Sequence, residues 1–138
     1  MNGSVRVVAD TNVYFMFFYD PSRKAGQLIN AALDKKVELF SPDTVKEELK
    51  RVLIRELGFE DARAENIINY LPATWVDRKF YEGYLDKAAI IRHKPDRPVL
   101  ALALALNCGI ITANVKDFKM TRKITKLWKI DELLEKVT

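Results

Sequence analysis

The chain has 138 residues, 49% of them hydrophobic and 30% charged, with 23 Lys and Arg against 19 Asp and Glu for a net charge of +4. That size and balance suit one globular domain, which buries roughly 68–70% of its unfolded surface and needs no staple to fold. Cys108 is the only cysteine and His93 the only histidine. Their scarcity excludes an internal disulfide, a cysteine-rich zinc site and any two-histidine chemistry, and a lone thiol fits a reducing cytoplasm. No secretory signal is expected, because Asp10 interrupts the first apolar stretch, and the longest apolar run, Val99 to Leu106, is too short to span a bilayer.

Val5 to Ala9 reads as a buried strand, followed at Asp10-Thr11-Asn12 by a polar step and then by the aromatic run Tyr14, Phe15, Phe17, Phe18 and Tyr19. Five aromatics and Met16 leave that short helix without a polar face, which predicts partial exposure and a partner for it, a second copy or another protein. Pro21 to Lys36 reads as a helix with Ala25, Leu28, Ile29, Ala32 and Leu33 on one face, and Val37 to Phe40 as a second strand. Ser41 or Asp43 is expected to cap a helix that runs to Leu57 and ends at Gly58. Further helices are expected over Asp61 to Leu71 and Phe80 to Ile91, with a short strand at Thr74 to Val76 between them. Asp96-Arg97-Pro98 opens a helix, Val99 to Asn107, that is apolar nearly all round and closed by Gly109; Ile110 to Thr112 and Ile124 to Trp128 are strands, and Asp131 to Val137 a last helix. Such alternation predicts an α/β fold, a three-layer α/β/α arrangement on a mostly parallel central sheet of four or five strands.

Acidic residues recur at the joints of this pattern. Asp10 follows the first strand, where ligands of open α/β sheets gather; it either caps the next segment or belongs to a charged site. On the Val45–Leu57 helix, Val45, Leu49, Val52 and Leu53 form the core-facing stripe, Glu47 points away and Glu48 lies near the stripe's edge, so Glu48 reaches toward the protein body or bends to water. Asp96 stands at the start of the apolar helix, as a cap, a cation ligand or both. After the strand at Ile110 to Thr112, Asn114 offers an amide oxygen and Asp117 a carboxylate, either for a site or for an ordinary turn. Asp10 and Asn114 both follow strands and should share one rim of the sheet. Two carboxylates at ~4 Å repel by about 4 kcal/mol at an effective dielectric of 20, a penalty that a divalent cation removes. All-oxygen ligands suit Mg²⁺ or Mn²⁺ rather than zinc.

These four places carry a resemblance to the PIN-domain family. Val7-Val8-Ala9-Asp10-Thr11-Asn12 resembles its opening strand and first acid; Ser41-Pro42 with Glu47-Glu48-Leu49 resembles its second motif; Asp96-Arg97-Pro98 before Leu100-Ala101-Leu102-Ala103 resembles the third; and Ile111-Thr112-Ala113-Asn114-Val115-Lys116-Asp117-Phe118 resembles the fourth. The likeness spans nearly the whole chain in the family's order. Many members place aspartate where this chain has Asn114, and asparagine followed by Val-Lys-Asp-Phe is similar to a variant among VapC-type toxins. One negative charge fewer weakens a second cation, and Asp117 partly compensates. The resemblance implies a metal-dependent endoribonuclease that hydrolyses RNA phosphodiester bonds, the toxin of a type II toxin–antitoxin pair. The implied catalytic residues are Asp10, Glu48, Asp96 and Asp117. The implied ligands of Mg²⁺ or Mn²⁺ are Asp10, Asp96, Glu48 and Asn114, with Thr11, Asn12 and Thr112 orienting the carboxylates. Partners to match are RNA, an antitoxin protein and a second copy in a homodimer, with no membrane.

Other chemistry finds little support in the chain. The glycines, Gly3, Gly26, Gly58, Gly83 and Gly109, are too scattered for a P-loop or a dinucleotide fingerprint, and no Gly-x-Ser-x-Gly elbow accompanies His93. His93 near Asp96 is a substrate-phosphate contact or a plain surface histidine. Two alternatives remain open. One is a catalytically weak RNA-binding scaffold, which Asn114 favours. The other is a receiver-like module phosphorylated at Asp10, in which Glu48 would be idle. Six bases, Lys116, Lys119, Arg122, Lys123, Lys126 and Lys129, fall beside Trp128 and form a strip able to follow phosphates or simply to be solvated.

Overall fold

The buried run Val7-Val8-Ala9 becomes the centre of a five-stranded, wholly parallel sheet. The computed structural model describes residues 4–19 and 23–138, the side chains of residues 19 and 23 excepted. In chain order the elements are β1 (Val5–Ala9), α1 (Thr11–Tyr19), α2 (Arg23–Leu33), β2 (Val37–Pro42), α3 (Asp43–Leu57), α4 (Asp61–Asn69), β3 (Ala73–Val76), α5 (Arg78–Tyr81), α6 (Arg97–Leu106), β4 (Gly109–Ile111), α7 (Val115–Phe118), β5 (Leu127–Trp128) and α8 (Ile130–Val137). Helices flank the sheet in three layers, as expected. The start expected at Pro21 for the second helix lies outside the described residues.

The strand order is β3-β2-β1-β4-β5. The chain builds outward from β1 through β2 to β3, then returns to add β4 and β5 on the other side. The reversal falls between β1 and β4, and crevices in open parallel sheets form at such a switch point, beyond the carboxyl ends of the strands. The register Ala9↔Ile111 makes Asp10 and Thr112 the next residues out on either side of it.

α6 packs across β1, β2 and β4, and Val99 through Ala103 are buried, so the all-round apolar helix lies in the core as its sequence requires. α3 behaves as its stripe predicts: Val45, Leu49 and Leu53 are buried and Glu47 is exposed. Gly58 ends it at φ +70°, a left-handed conformation in which its N–H reaches the Ile54 carbonyl at 3.1 Å and the Phe59 N–H reaches that of Leu53 at 3.4 Å.

Four local expectations fail. Neither Ser41 nor Asp43 caps α3; Pro42 holds that position without a side-chain cap. Ser41 has a tertiary use instead, donating its hydroxyl to the Ala9 carbonyl at 2.6 Å, with the Tyr14 hydroxyl also at 2.6 Å. Asp43 accepts the hydroxyl of buried Tyr81 at 2.6 Å. The helix expected over Phe80 to Ile91 is broken into α5 and two 3₁₀ turns, Glu82–Tyr84 and Lys87–Ile90. Tyr81, Ala88 and Ile91 are all buried, but in one straight helix Ile91 would fall about 80° from the Tyr81 stripe, and Gly83 in the middle weakens helix further.

Gly109 does not close α6. Asn107 does so, at φ 53°, and Gly109 opens β4. A Cβ on Gly109 would stand 2.8 Å from the Lys126 carbonyl oxygen and 2.9 Å from Trp128 Nε1, so the glycine admits the edge strand β5. That strand is shorter than expected, pairing only Ile110↔Leu127 and Ile111↔Trp128. The residues before it form a 3₁₀ segment, Lys119–Lys123, in which Thr121 is buried with its hydroxyl on the Phe118 carbonyl.

Candidate active site

Beyond the carboxyl end of β1 lies a cleft of about 350 Å³, floored by the start of α1 and walled by α3 on one side and by α6 with its approach on the other. Asp10, Glu48, Asp96 and Asp117 all line it, with Thr11 and Asn12. Four stretches distant in sequence thus bring carboxylates to one hollow.

Asp10 is the deepest of them, 5% exposed. Its Oδ2 accepts the Thr112 hydroxyl at 2.8 Å and its Oδ1 the backbone N–H of Val13 at 3.3 Å. Asp10 therefore caps the first turn of α1 and at the same time lines the cleft. Burial pushes its carboxyl up to about 7, against the lowering effect of its two donors, and the nearby Asp96 and Glu48 carboxylates push the same way. Thr112 does not line the cleft but stands behind it, buried, with its hydroxyl also accepting the Asn114 N–H at 2.9 Å. Thr11 donates its hydroxyl to Glu48, tying α1 to α3 at the cleft floor. Asn12 is exposed at the mouth.

The opposite wall is wetter. Asp96, half-buried, accepts at Oδ2 a hydrogen bond from Nδ1 of the exposed His93 ring, 3.1 Å away. Burial is the largest influence raising its carboxyl, and the Asp117 and Glu48 charges add to it, while His93 opposes. Asp117 is exposed, and Asn114 donates its side-chain amide to it at 2.6 Å. Asn114 itself is not among the residues lining the cleft.

The donor set suits a hard divalent cation, since the cleft offers carboxylate oxygens and no thiol. Among the described residues, no three His, Cys, Asp or Glu side chains stand close enough together to grip an ion as they are arranged. The cleft also carries two charged residues outside the expected set, Arg55 and Glu56. Arg55 is seven residues beyond Glu48 on α3, within about 20° of it around the helix. That periodicity was the signal available for it in the sequence.

A PIN-domain family model matches residues 6–116. The chain belongs to the PIN-domain family. Among solved structures, this PIN chain is similar to VapBC2 from Rickettsia felis bound to a DNA fragment from its promoter, at 18% identity and TM-score 0.65 over 90% of this chain and 99% of that one. VapBC-1 from nontypeable Haemophilus influenzae is similar at 16% identity and TM-score 0.65, over 92% and 99%. A toxin–antitoxin complex from Klebsiella pneumoniae is similar at 18% identity and TM-score 0.63, over 81% and 89%. No curated protein matches the chain. At these identities the likeness speaks for the PIN fold. No helix among the described residues is long and apolar enough to cross a membrane.

Proposed function

We propose that this PIN domain, spanning residues 1–138, is a divalent-cation-dependent endoribonuclease of VapC type, the toxin of a toxin–antitoxin pair. The observation that carries the proposal is the meeting of Asp10, Glu48, Asp96 and Asp117 in one cleft at the switch point of the sheet. The toxin–antitoxin complexes among its structural neighbours support the biological role and an antitoxin partner.

Asp10, Asp96 and Glu48 are the residues that would hold Mg²⁺ or Mn²⁺. Bound there, the cation supplies an activated water and offsets the charge that builds on the phosphate. Asn114 spends its amide nitrogen on Asp117, which favours Asp117 as the oxygen donor from that stretch, with Asn114 orienting it. Thr112 and Thr11 hold the Asp10 and Glu48 carboxylates in place. Lys116, Lys119, Arg122, Lys123, Lys126 and Lys129 are all exposed and supply positive charge suited to an RNA backbone. Phe15, Met16, Phe17 and Phe18 are only partly buried, which supports α1 as a surface for a second copy or the antitoxin; a monomer by light scattering would count against the homodimer.

A catalytically weak RNA-binding module is the second reading, favoured by Asn114 and by the absence of a preformed cluster of three ligands among the described residues. Labelled RNA incubated with Mn²⁺ and either the natural chain or Asp10→Asn separates the two. Cleavage lost in the variant supports the nuclease; binding without cleavage by both proteins supports the module.

A further inference from the structure

The cleft is charged against its own substrate. Asp10, Glu48, Glu56, Asp96 and Asp117 line it, and Arg55 is the sole lysine or arginine among its described lining residues. An RNA strand carries a negative charge on every phosphate, and a cation held by the carboxylates compensates only the one being attacked. The phosphate beside it meets carboxylates unless a side chain supplies positive charge.

Arg55 is placed to do this. It lies on the same stripe of α3 as Glu48, about 10 Å further along the helix axis, with Val52 lining the cleft between them. It is therefore close enough to serve the same strand, at a point displaced along the helix from the one that Glu48 faces. Its side chain is 66% exposed and pairs with the adjacent Glu56, Nε to Oε2 at 3.0 Å. An exposed pair of this kind is weak and exchangeable. The guanidinium fork offers five donors in a plane that matches two phosphate oxygens.

We infer that Arg55 is a substrate-binding residue that grips an RNA backbone phosphate flanking the scissile one, so that α3 reads two successive points of the strand, Glu48 at the reaction centre and Arg55 beyond it. This rests on the nuclease reading above, and its test has one arm that does not need cleavage. In the Asp10→Asn background without added divalent cation, binding of a fluorescein-labelled single-stranded RNA is followed by anisotropy across a KCl series. Arg55→Ala should weaken binding about tenfold, and the slope of log K against log salt should shrink by about 0.7, the value for one phosphate contact on a single strand. Arg55→Lys should restore the slope but only part of the affinity, because the fork is lost.

In the second arm, with Asp10 intact and Mn²⁺ present, Arg55→Ala should lose at least tenfold more in kcat/KM on RNA than on bis(p-nitrophenyl) phosphate. That small diester has no flanking phosphate. An unchanged salt slope, no RNA binding at any salt, or equal losses on both substrates overturns the role of Arg55. A natural chain that cleaves neither substrate overturns the nuclease reading instead, and the binding arm still decides Arg55.

Discussion

The two walls of the cleft are held by different physics. On the β1 side, Asp10 is buried and bonded to Thr112 and the Val13 N–H, while Ser41 braces the Ala9 carbonyl beneath it. On the α6 side, Asp96 leans on an exposed histidine and Asp117 on Asn114 at the surface. Buried polar contacts are costly to break, because the group left behind has no water to turn to. Exposed ones are exchanged for water at little cost. The β1 wall is thus a fixed reference, and the α6 wall is the one whose contacts exchange most easily.

The largest expected effect comes from breaking the fixed wall at its centre. Asp10→Asn should lower RNA cleavage by about 10³-fold or more in Mn²⁺ while raising the stability of the metal-free protein at neutral pH. The Asp10 carboxyl rises from 3.8 to about 7 on folding. Between those values the folded chain keeps a proton that the unfolded chain has lost, so stability falls as pH rises through the window. The penalty is complete above pH 7 and amounts to roughly 4 kcal/mol at most. Urea melts of the two proteins from pH 4 to 8 should diverge progressively toward neutral pH; a constant difference would remove the buried acid from the account.

Thr112→Val comes next, stripping Asp10 and the Asn114 N–H of one shared partner. It should cost about 1–3 kcal/mol in urea melts and lower cleavage ten- to a hundredfold. Retention of full activity would mean that Asp10 needs no positioning. On the α6 wall, Asn114→Asp places a second carboxylate against Asp117. The thermal midpoint should drop in EDTA and recover with Mn²⁺, more than the natural chain's does; an equal response in both would place this pair outside the cation's reach. His93→Ala should be the mildest, changing cleavage a few-fold at most and the thermal midpoint hardly at all, because the histidine is 70% exposed. A loss as large as that of Thr112→Val would show both walls to be equally rigid.

Much of this was legible in the chain. The apolar run before Asp10, the stripe that leaves Glu48 at its edge, and the Asp-Arg-Pro start of α6 each declare themselves locally, and the order of strands and helices implies parallel pairing. The cap of α3 and the broken segment from Arg78 to Ile90 were not legible. Ser41 could bond its own helix or the Ala9 carbonyl, and only the neighbouring strand settles that competition. The 78–90 segment follows the surface of α6 rather than its own periodicity. Arg55 belongs to both kinds: its position on the helix was readable, but its place among five carboxylates was not.

By itself, the sequence determined which residues are apolar at periods of two and 3.6, and hence which segments become strands and helices with acids at their ends. The tertiary structure decided that β4 returns to the far side of β1, which sets Thr112 behind Asp10 and holds that carboxylate at the cleft. Periodicity is a property of neighbours along the chain, whereas the meeting of residues 102 positions apart depends on the order in which strands join the sheet.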